Sequence, residues 1–236
     1  MKTKKPIIGI IAKFEKISDD CVSPIFNQNN IKAIEDNGGI PLKILPNSSK
    51  IQFMKGDISA EKANISKEET DQLTKQIILC DGILFQGGKF SLTFESWVAK
   101  YTFDNDIPTM GFCAGQNVMV RALGGSTKDV DNLEFHYRKS VPEAHKIFIK
   151  KDSKFYNIVK TDCMVVNSTH KKIINDHTKY YIVSAVDPDG NPEVLEAPNK
   201  KFNFALRFHP ERLYKIHEEH RKIWEAFINA CKNSRT

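Results

Sequence analysis

The sequence predicts an α/β domain whose mostly parallel central sheet carries helices on both faces and a partly antiparallel extension. Three observations predict it. Short continuous apolar runs, such as Ile7-Ile8-Gly9-Ile10-Ile11-Ala12 and Gly82-Ile83-Leu84-Phe85, read as strands buried on both faces. Segments with helical spacing alternate with these runs through the first half, which implies βαβ units with right-handed crossovers. In the second half strands follow one another, and Asp187-Pro188-Asp189-Gly190 is a turn that joins two antiparallel strands.

The elements follow in order. Ile7–Ala12 is the first strand, and Phe14 to Ile25 reads as a loop. Asn27 to Asn37 places Ile31, Ala33 and Ile34 at helical spacing, and Gly38-Gly39 stops the helix. Ile40 to Pro46 is the second strand. Asn47 to Ile65 is polar and aperiodic, a long surface loop that suits a tolerated insertion or a lid. Ser66 to Leu79 is a helix with Ser66 as N-cap and Glu69 completing a capping box. The strand Gly82–Gln86 runs into Gly87-Gly88, then a helix over 91–101 with Phe94, Trp97 and Val98 inward. Pro108 to Phe112 is a strand, and a helix from about Gln116 stops at Gly124-Gly125. Strands over 146–149, 164–166, 180–186 and 202–208 come next, and a helix over 213–231 closes the chain. We read residues 1–236 as one domain, since a chain of this length can build a full core.

Composition excludes several classes. Lys and Arg number 35 against 29 Asp and Glu, and the +6 net charge is spread along the chain. No Arg-rich surface with interleaved aromatics stands out, which argues against nucleic acid. No apolar run approaches the ~20 residues that cross a bilayer. The charged start leads directly into a strand rather than a signal-peptide core. The five cysteines are scattered and lack CxxC spacing, which fits a reducing cytoplasm and argues against a disulfide framework or a zinc site.

The stretch Gly111-Phe112-Cys113-Ala114-Gly115 organises the rest. Small residues two before and two after the cysteine suit a sharp strand-to-helix turn that lifts one side chain out of the sheet. A cysteine there sits at a helix N-terminus, where the macrodipole favours thiolate; a buried cysteine beside an ordinary turn fits the same residues. Gly87-Gly88, at the carboxyl end of a strand, exposes backbone N–H groups that can face an oxyanion or simply form a tight turn. His209 and Glu211, in Arg207-Phe208-His209-Pro210-Glu211, can serve as base and orienter for Cys113. Asn167-Ser168-Thr169-His170 follows a strand and belongs on the same rim. His217 and His220 are three apart, unlike the i, i+4 pair of a zinc-binding helix, and read as a solvated face. His136 and His145 read as loop residues without a signal.

These segments together resemble the class I glutamine amidotransferase superfamily, and most of all its branch of stand-alone γ-glutamyl hydrolases. The resemblance runs nearly end to end: "AIEDNGGIPLKILP", "CDGILFQGG", "GFCAGQNVMVRALGG", "VNSTH", "PDGNPEVLE" and "ALRFHPE" stand in the family's order and spacing. It implies a flavodoxin-like three-layer fold with Cys113 as nucleophile, His209 as base and Glu211 as orienter. It implies an oxyanion hole from the N–H groups of Gly88 and Ala114. It also implies that the α-amino and α-carboxylate groups of a γ-glutamyl substrate lie near Gly87, Gln116, Asn117, Ser168 and His170. No cofactor and no metal ligand follow from it; the implied partner is a small γ-glutamyl substrate, and a homodimer stays open.

Two departures stand out. The family places Gln four residues after the cysteine, where this chain has Asn117, one methylene shorter, preceded by Gln116. Members of the branch often carry Arg directly after the cysteine, where this chain has Ala114. The expectation is a cytoplasmic cysteine hydrolase of γ-glutamyl amides that releases glutamate and an amine. The alternatives are a glutaminase subunit delivering ammonia to a synthase on a separate chain, and a non-catalytic ligand-binding protein on the same fold.

Overall fold

Five parallel strands come together because both of their faces are apolar. In a computed structural model, which describes residues 5–18, 21–47 and 59–234, these are β1 (Ile7–Ile11), β4 (Ile40–Ile44), β5 (Gly82–Phe85), β6 (Thr109–Phe112) and β13 (Asn203–Leu206). Ile8, Ile10, Leu84, Met110, Phe112, Phe204 and Leu206 fill one face, while Ile11, Ile83, Phe85 and Ala205 fill the other. Helices α1 (Gln28–Asp36), α6 (Lys154–Val159) and α7 (Glu218–Lys232) cover the first face with Ile34, Phe155, Trp224 and Phe227. Helices α2 (Lys67–Ile77), α3 (Thr93–Asp104) and α4 (Ala114–Ala122) cover the second with Leu73, Val98 and Val118.

The sheet has nine strands in the order β4-β1-β5-β6-β13-β12-β11-β8-β9, where β8 is His145–Ile149, β9 Cys163–Val166, β11 Ile182–Val186 and β12 Pro192–Glu196. Pairing is parallel from β4 through β13 and antiparallel from β13 through β9. The parallel part reads 2-1-3-4-5, the flavodoxin order, and such sheets bind ligands outside the carboxyl ends of their strands. The expected fold class is therefore observed.

Local chemistry sets several boundaries as the sequence reading expects. Ser66 Oγ accepts from the Glu69 N–H, and Glu69 Oε2 accepts from the Ser66 N–H at 3.0 Å, closing the capping box. Gly38 and Gly124 end α1 and α4 with φ of +87° and +92°, a conformation glycine adopts without a Cβ penalty.

Other boundaries need correction. The 14–25 loop is a hairpin of β2 (Lys13–Ser18) and β3 (Cys21–Ile25), with residues 19–20 outside the described part. Of the 47–65 loop, residues 48–58 lie outside the described part, and Ala60–Lys62 form a 3-10 turn. A second antiparallel pair, β7 (Ser126–Asp129) with β10 (Lys172–Asp176), has no counterpart in the sequence reading. The closing helix begins at Glu218; Pro210–Arg212 form a separate 3-10 turn. Among the described residues no helix is long and apolar enough to cross a membrane.

Candidate active site

Three adjacent strand ends build the site: β5 runs into Gly87, β6 into Cys113 and β13 into His209. Cys113 is the N-cap of α4, with φ 51° and ψ −103°, and it is half-buried. Such a backbone is strained for a residue with a Cβ, and it persists only where its surroundings over-determine it. The Cys113 N–H donates to the Leu206 carbonyl at 2.9 Å, and its own carbonyl accepts from the Asn117 N–H at 3.3 Å. The two flanking glycines are needed for close approach. A Cβ on Gly115 would overlap the Phe85 carbonyl, and one on Gly111 the Met119 sulfur.

The His209 ring stands beside the Cys113 thiol, close enough for each to shift the other's charge state, and its Nδ1 lies 2.7 Å from Glu211 Oε1. Glu211 sits in the 3-10 turn after Pro210 and is buried. Asn167 holds the His209 backbone. Its Oδ1 accepts from the His209 N–H at 2.9 Å, and its Nδ2 donates to the His209 carbonyl at 2.8 Å. Gly87 packs against the His209 ring, in space that a side chain would fill.

Opposing effects set the charge state. Burial pushes the Cys113 thiol up, but the His209 hydrogen bond and charge, the Arg207 guanidinium and the Ala114 N–H together hold it below its ordinary value. Burial pulls His209 down, yet the Glu211 carboxylate and the Cys113 sulfur raise it to about 9. Both shifts act in the direction of a thiolate–imidazolium pair, a nucleophile able to attack beside a proton able to be donated.

The remaining predicted residues fall into two groups. The Ala114 N–H lies near the Cys113 sulfur and helps lower its thiol, and Gly88 lies exposed in the turn after β5, above the Lys13 stem. Lys13 is itself buried; its ammonium pairs with Glu95 at 2.7 Å and donates to the Phe90 carbonyl, tying this turn to the start of α3. Asn117 is half-buried and accepts from Arg207 Nη2 at 3.0 Å. Gln116, Ser168 and His170 are buried. The Gln116 amide donates to the Ala205 carbonyl at 3.0 Å, and Ser168 Oγ donates to the His136 carbonyl at 2.7 Å.

The histidine assignments need correction. His136 ends a short helix, α5 (Leu133–His136), and His145 opens β8, and both are buried. They converge with His170 and Glu193, one ligand atom from each lying within 4.8 Å of all the others. His220 is in the core rather than on a solvated face; its Nε2 is 2.9 Å from the Val165 carbonyl, and burial lowers it to about 4. Sequence reasoning missed Arg207, Glu193 and the role of the Asn167 side chain. Arg207 is fully buried, and its Nη1 reaches the Cys113 carbonyl at 3.5 Å. A lone arginine directly after an apolar strand was the available signal for it.

Comparison with known proteins adds to this geometry. The model of the Peptidase C26 family matches residues 64–211. A CTP synthase of Chlamydia muridarum is 26% identical over 194 residues, covering 69% of this chain and 36% of that protein. A GMP synthase (glutamine-hydrolyzing) of Vibrio atlanticus is 28% identical over 157 residues, covering 64% of this chain and 28% of that protein. The chain thus spans about a third of the length of these relatives. Among solved structures, the glutaminase domain of Trypanosoma brucei CTPS with bound acivicin superposes with a TM-score of 0.66 at 19% identity, over 96% of this chain and 94% of that one. That likeness is one of fold.

Proposed function

Since the chain belongs to the Peptidase C26 family and has the fold of a class I glutamine amidotransferase domain, we propose that it hydrolyses γ-glutamyl amide bonds through a thioester on Cys113. The observation that carries this reading is the His209 ring, which bonds the Glu211 carboxylate at 2.7 Å and stands beside the thiol of Cys113 at the N-cap of α4.

The Cys113 thiolate attacks the γ-carbonyl carbon, and the oxyanion develops against the N–H groups of Ala114 and Gly88. His209 gives its proton to the departing nitrogen as the C–N bond breaks, leaving a γ-glutamyl thioester. It then takes a proton from water as water attacks that thioester, and glutamate leaves with the thiolate restored. Glu211 keeps the imidazole oriented and stabilises its charged form.

Two leaving groups are open. The activity named for the Vibrio relative, glutamine hydrolysis, supports ammonia, and with it a glutaminase that serves a synthase partner. The γ-glutamyl hydrolase motifs, with "VNSTH" and "PDGNPEVLE" among them, support a small amine. Glutamate release from L-glutamine and from a panel of γ-glutamyl amines, each with and without Cys113→Ala, distinguishes them. Turnover of glutamine alone, rising with a co-purifying synthase, favours the first; turnover of a γ-glutamyl amine by the isolated chain favours the second. Absence of Cys113-dependent release from every substrate overturns the proposal.

A further inference from the structure

Beside the thiol, a second group of side chains has no role in this chemistry. His136, His145, His170 and Glu193 come from α5, β8, the segment after β9 and β12, and each is at most 8% exposed. His145 Nδ1 lies 3.1 Å from the Lys146 carbonyl and His170 Nδ1 3.1 Å from the Lys172 carbonyl. A carbonyl only accepts, so both Nδ1 atoms carry hydrogens and both Nε2 atoms present lone pairs. Those Nε2 atoms are buried without a hydrogen bond and face the same Glu193 oxygen, at 3.9 and 3.7 Å. Both Glu193 carboxylate oxygens and His136 Nδ1 are likewise buried and unpartnered.

Buried polar atoms that converge without a hydrogen bond carry a cost of about 1–3 kcal/mol for each unsatisfied group. A proton shared between a histidine and Glu193 does not remove it, because 3.7–3.9 Å is too long for a hydrogen bond. A cation at the centre does. Three imidazole nitrogens and one carboxylate form a recognised tetrahedral donor set. Bonds of about 2.0–2.1 Å set such ligand atoms roughly 3.4 Å apart; His145 and His170 stand 3.9 and 3.7 Å from Glu193, a few tenths of an ångström from that spacing, and the set as a whole, within 4.8 Å, closes further around an ion. The outer contacts fit as well: the two carbonyls fix the tautomers of His145 and His170. Arg207, the nearby cation that acts on Glu193, spends its Nη hydrogen bonds on Asn117 and the Cys113 carbonyl instead.

We propose that His136, His145, His170 and Glu193 form a buried binding site for a divalent transition metal of the zinc class, distinct from the catalytic thiol. The bound ion would join four separate segments and brace the 167–170 rim, whose Asn167 clasps His209. It also occupies the His170 Nε2 lone pair, so that histidine would support the substrate rim rather than touch substrate.

The test is cobalt(II) titration of the full-length chain after chelator treatment, followed by visible absorption and metal analysis. One cobalt per chain is expected, with tetrahedral d–d bands, no thiolate-to-cobalt charge-transfer band, and displacement by zinc(II). Binding should survive in Cys113→Ala and weaken by at least about ten-fold in His145→Gln and Glu193→Gln. Zinc should also raise the thermal midpoint of the wild-type chain, a readout that stands if a variant fails to fold. The proposal is overturned by sub-stoichiometric cobalt with no thermal shift, by a thiolate band that disappears in Cys113→Ala, or by unchanged affinity in folded His145→Gln and Glu193→Gln.

Discussion

The Asn167 carboxamide clasps the His209 peptide from both sides, accepting from its N–H at 2.9 Å and donating to its carbonyl at 2.8 Å. The base of the site is thus positioned by a residue some forty positions earlier, on the far side of the antiparallel extension. Asn167→Ala removes two buried hydrogen bonds, about 2 kcal/mol of stability together. It also frees the His209 backbone, so kcat should fall more than KM rises. Asn167→Asp keeps the acceptor and should lie between. A shift in thermal midpoint with kcat untouched would reduce Asn167 to a structural residue.

The thiolate–imidazolium pair predicts a bell-shaped pH dependence of kcat/KM. The acid limb reports Cys113, held below its ordinary value of 9.0, and the alkaline limb reports His209, at about 9; the two titrate as a coupled pair. Stability follows the same signs. The contribution of His209, raised from 6.5, is full below that value and is lost as pH rises through about 9. That of Cys113 is full above 9.0 and is lost as pH falls through its lowered value. Glu211→Gln removes the carboxylate that raises His209, so the alkaline limb should move to lower pH. A rate profile whose alkaline limb stays in place in Glu211→Gln contradicts the pairing.

Cys113 should be alkylated first of the five thiols by limiting iodoacetamide at neutral pH, because the thiolate is the reactive form. Cys80 and Cys231 are buried, and burial pushes the Cys231 thiol up. Cys21 is exposed and provides the internal comparison. Peptide mass spectrometry reads the order, and labelling of Cys21 ahead of Cys113 counts against an activated nucleophile.

Gly115→Ala tests the elbow itself. The added methyl would meet the Phe85 backbone, which cannot yield as a side-chain tip can, so about 1–3 kcal/mol of stability should go, together with most of the turnover. Gly124→Ala is the control: its φ is +92° but nothing lies within 4 Å of an added Cβ, so a loss of about 1 kcal/mol with kcat intact is expected. Thermal midpoints and kcat on the two variants separate crowding at the site from backbone strain far from it.

What the sequence reveals depends on whether the cause is local. The Gly-x-Cys-x-Gly elbow, the Ser66–Glu69 capping box and the Gly38 and Gly124 stops are legible because neighbouring residues create them. The β2–β3 hairpin and the β7–β10 pair are not. Lys13-Phe14-Glu15-Lys16-Ile17-Ser18 and Ser126-Thr127-Lys128-Asp129 lack a buried face that would impose alternation. The His136, His145, His170 and Glu193 group is brought together by sheet order alone, with no short spacing to betray it. Arg207 hides for a related reason. It follows the buried strand β13 and shows its partners, Asn117 and the Cys113 carbonyl, only once α4 is packed against that strand.

Arg207 and Asn117 give the last prediction. Asn117 stands where the related family has Gln, and Ala114 stands where the hydrolase branch often has Arg. Here the guanidinium near Cys113 comes instead from Arg207, which donates to Asn117 Oδ1 at 3.0 Å. The two residues should separate by kinetic signature. Asn117 transfers no proton, and in Asn117→Gln the longer side chain either breaks the Arg207 bond or enters the space beside the thiol. KM for glutamine or the best γ-glutamyl amine should therefore change by more than kcat. Arg207→Gln removes a positive charge that helps hold the Cys113 thiol down, so the acid limb of kcat/KM should move to higher pH. Steady-state kinetics across pH on both variants reads each effect. An Asn117→Gln enzyme with reduced kcat at unchanged KM would remove Asn117 from substrate binding, and an unmoved acid limb in Arg207→Gln would leave His209 and the Ala114 N–H to hold the thiolate without it.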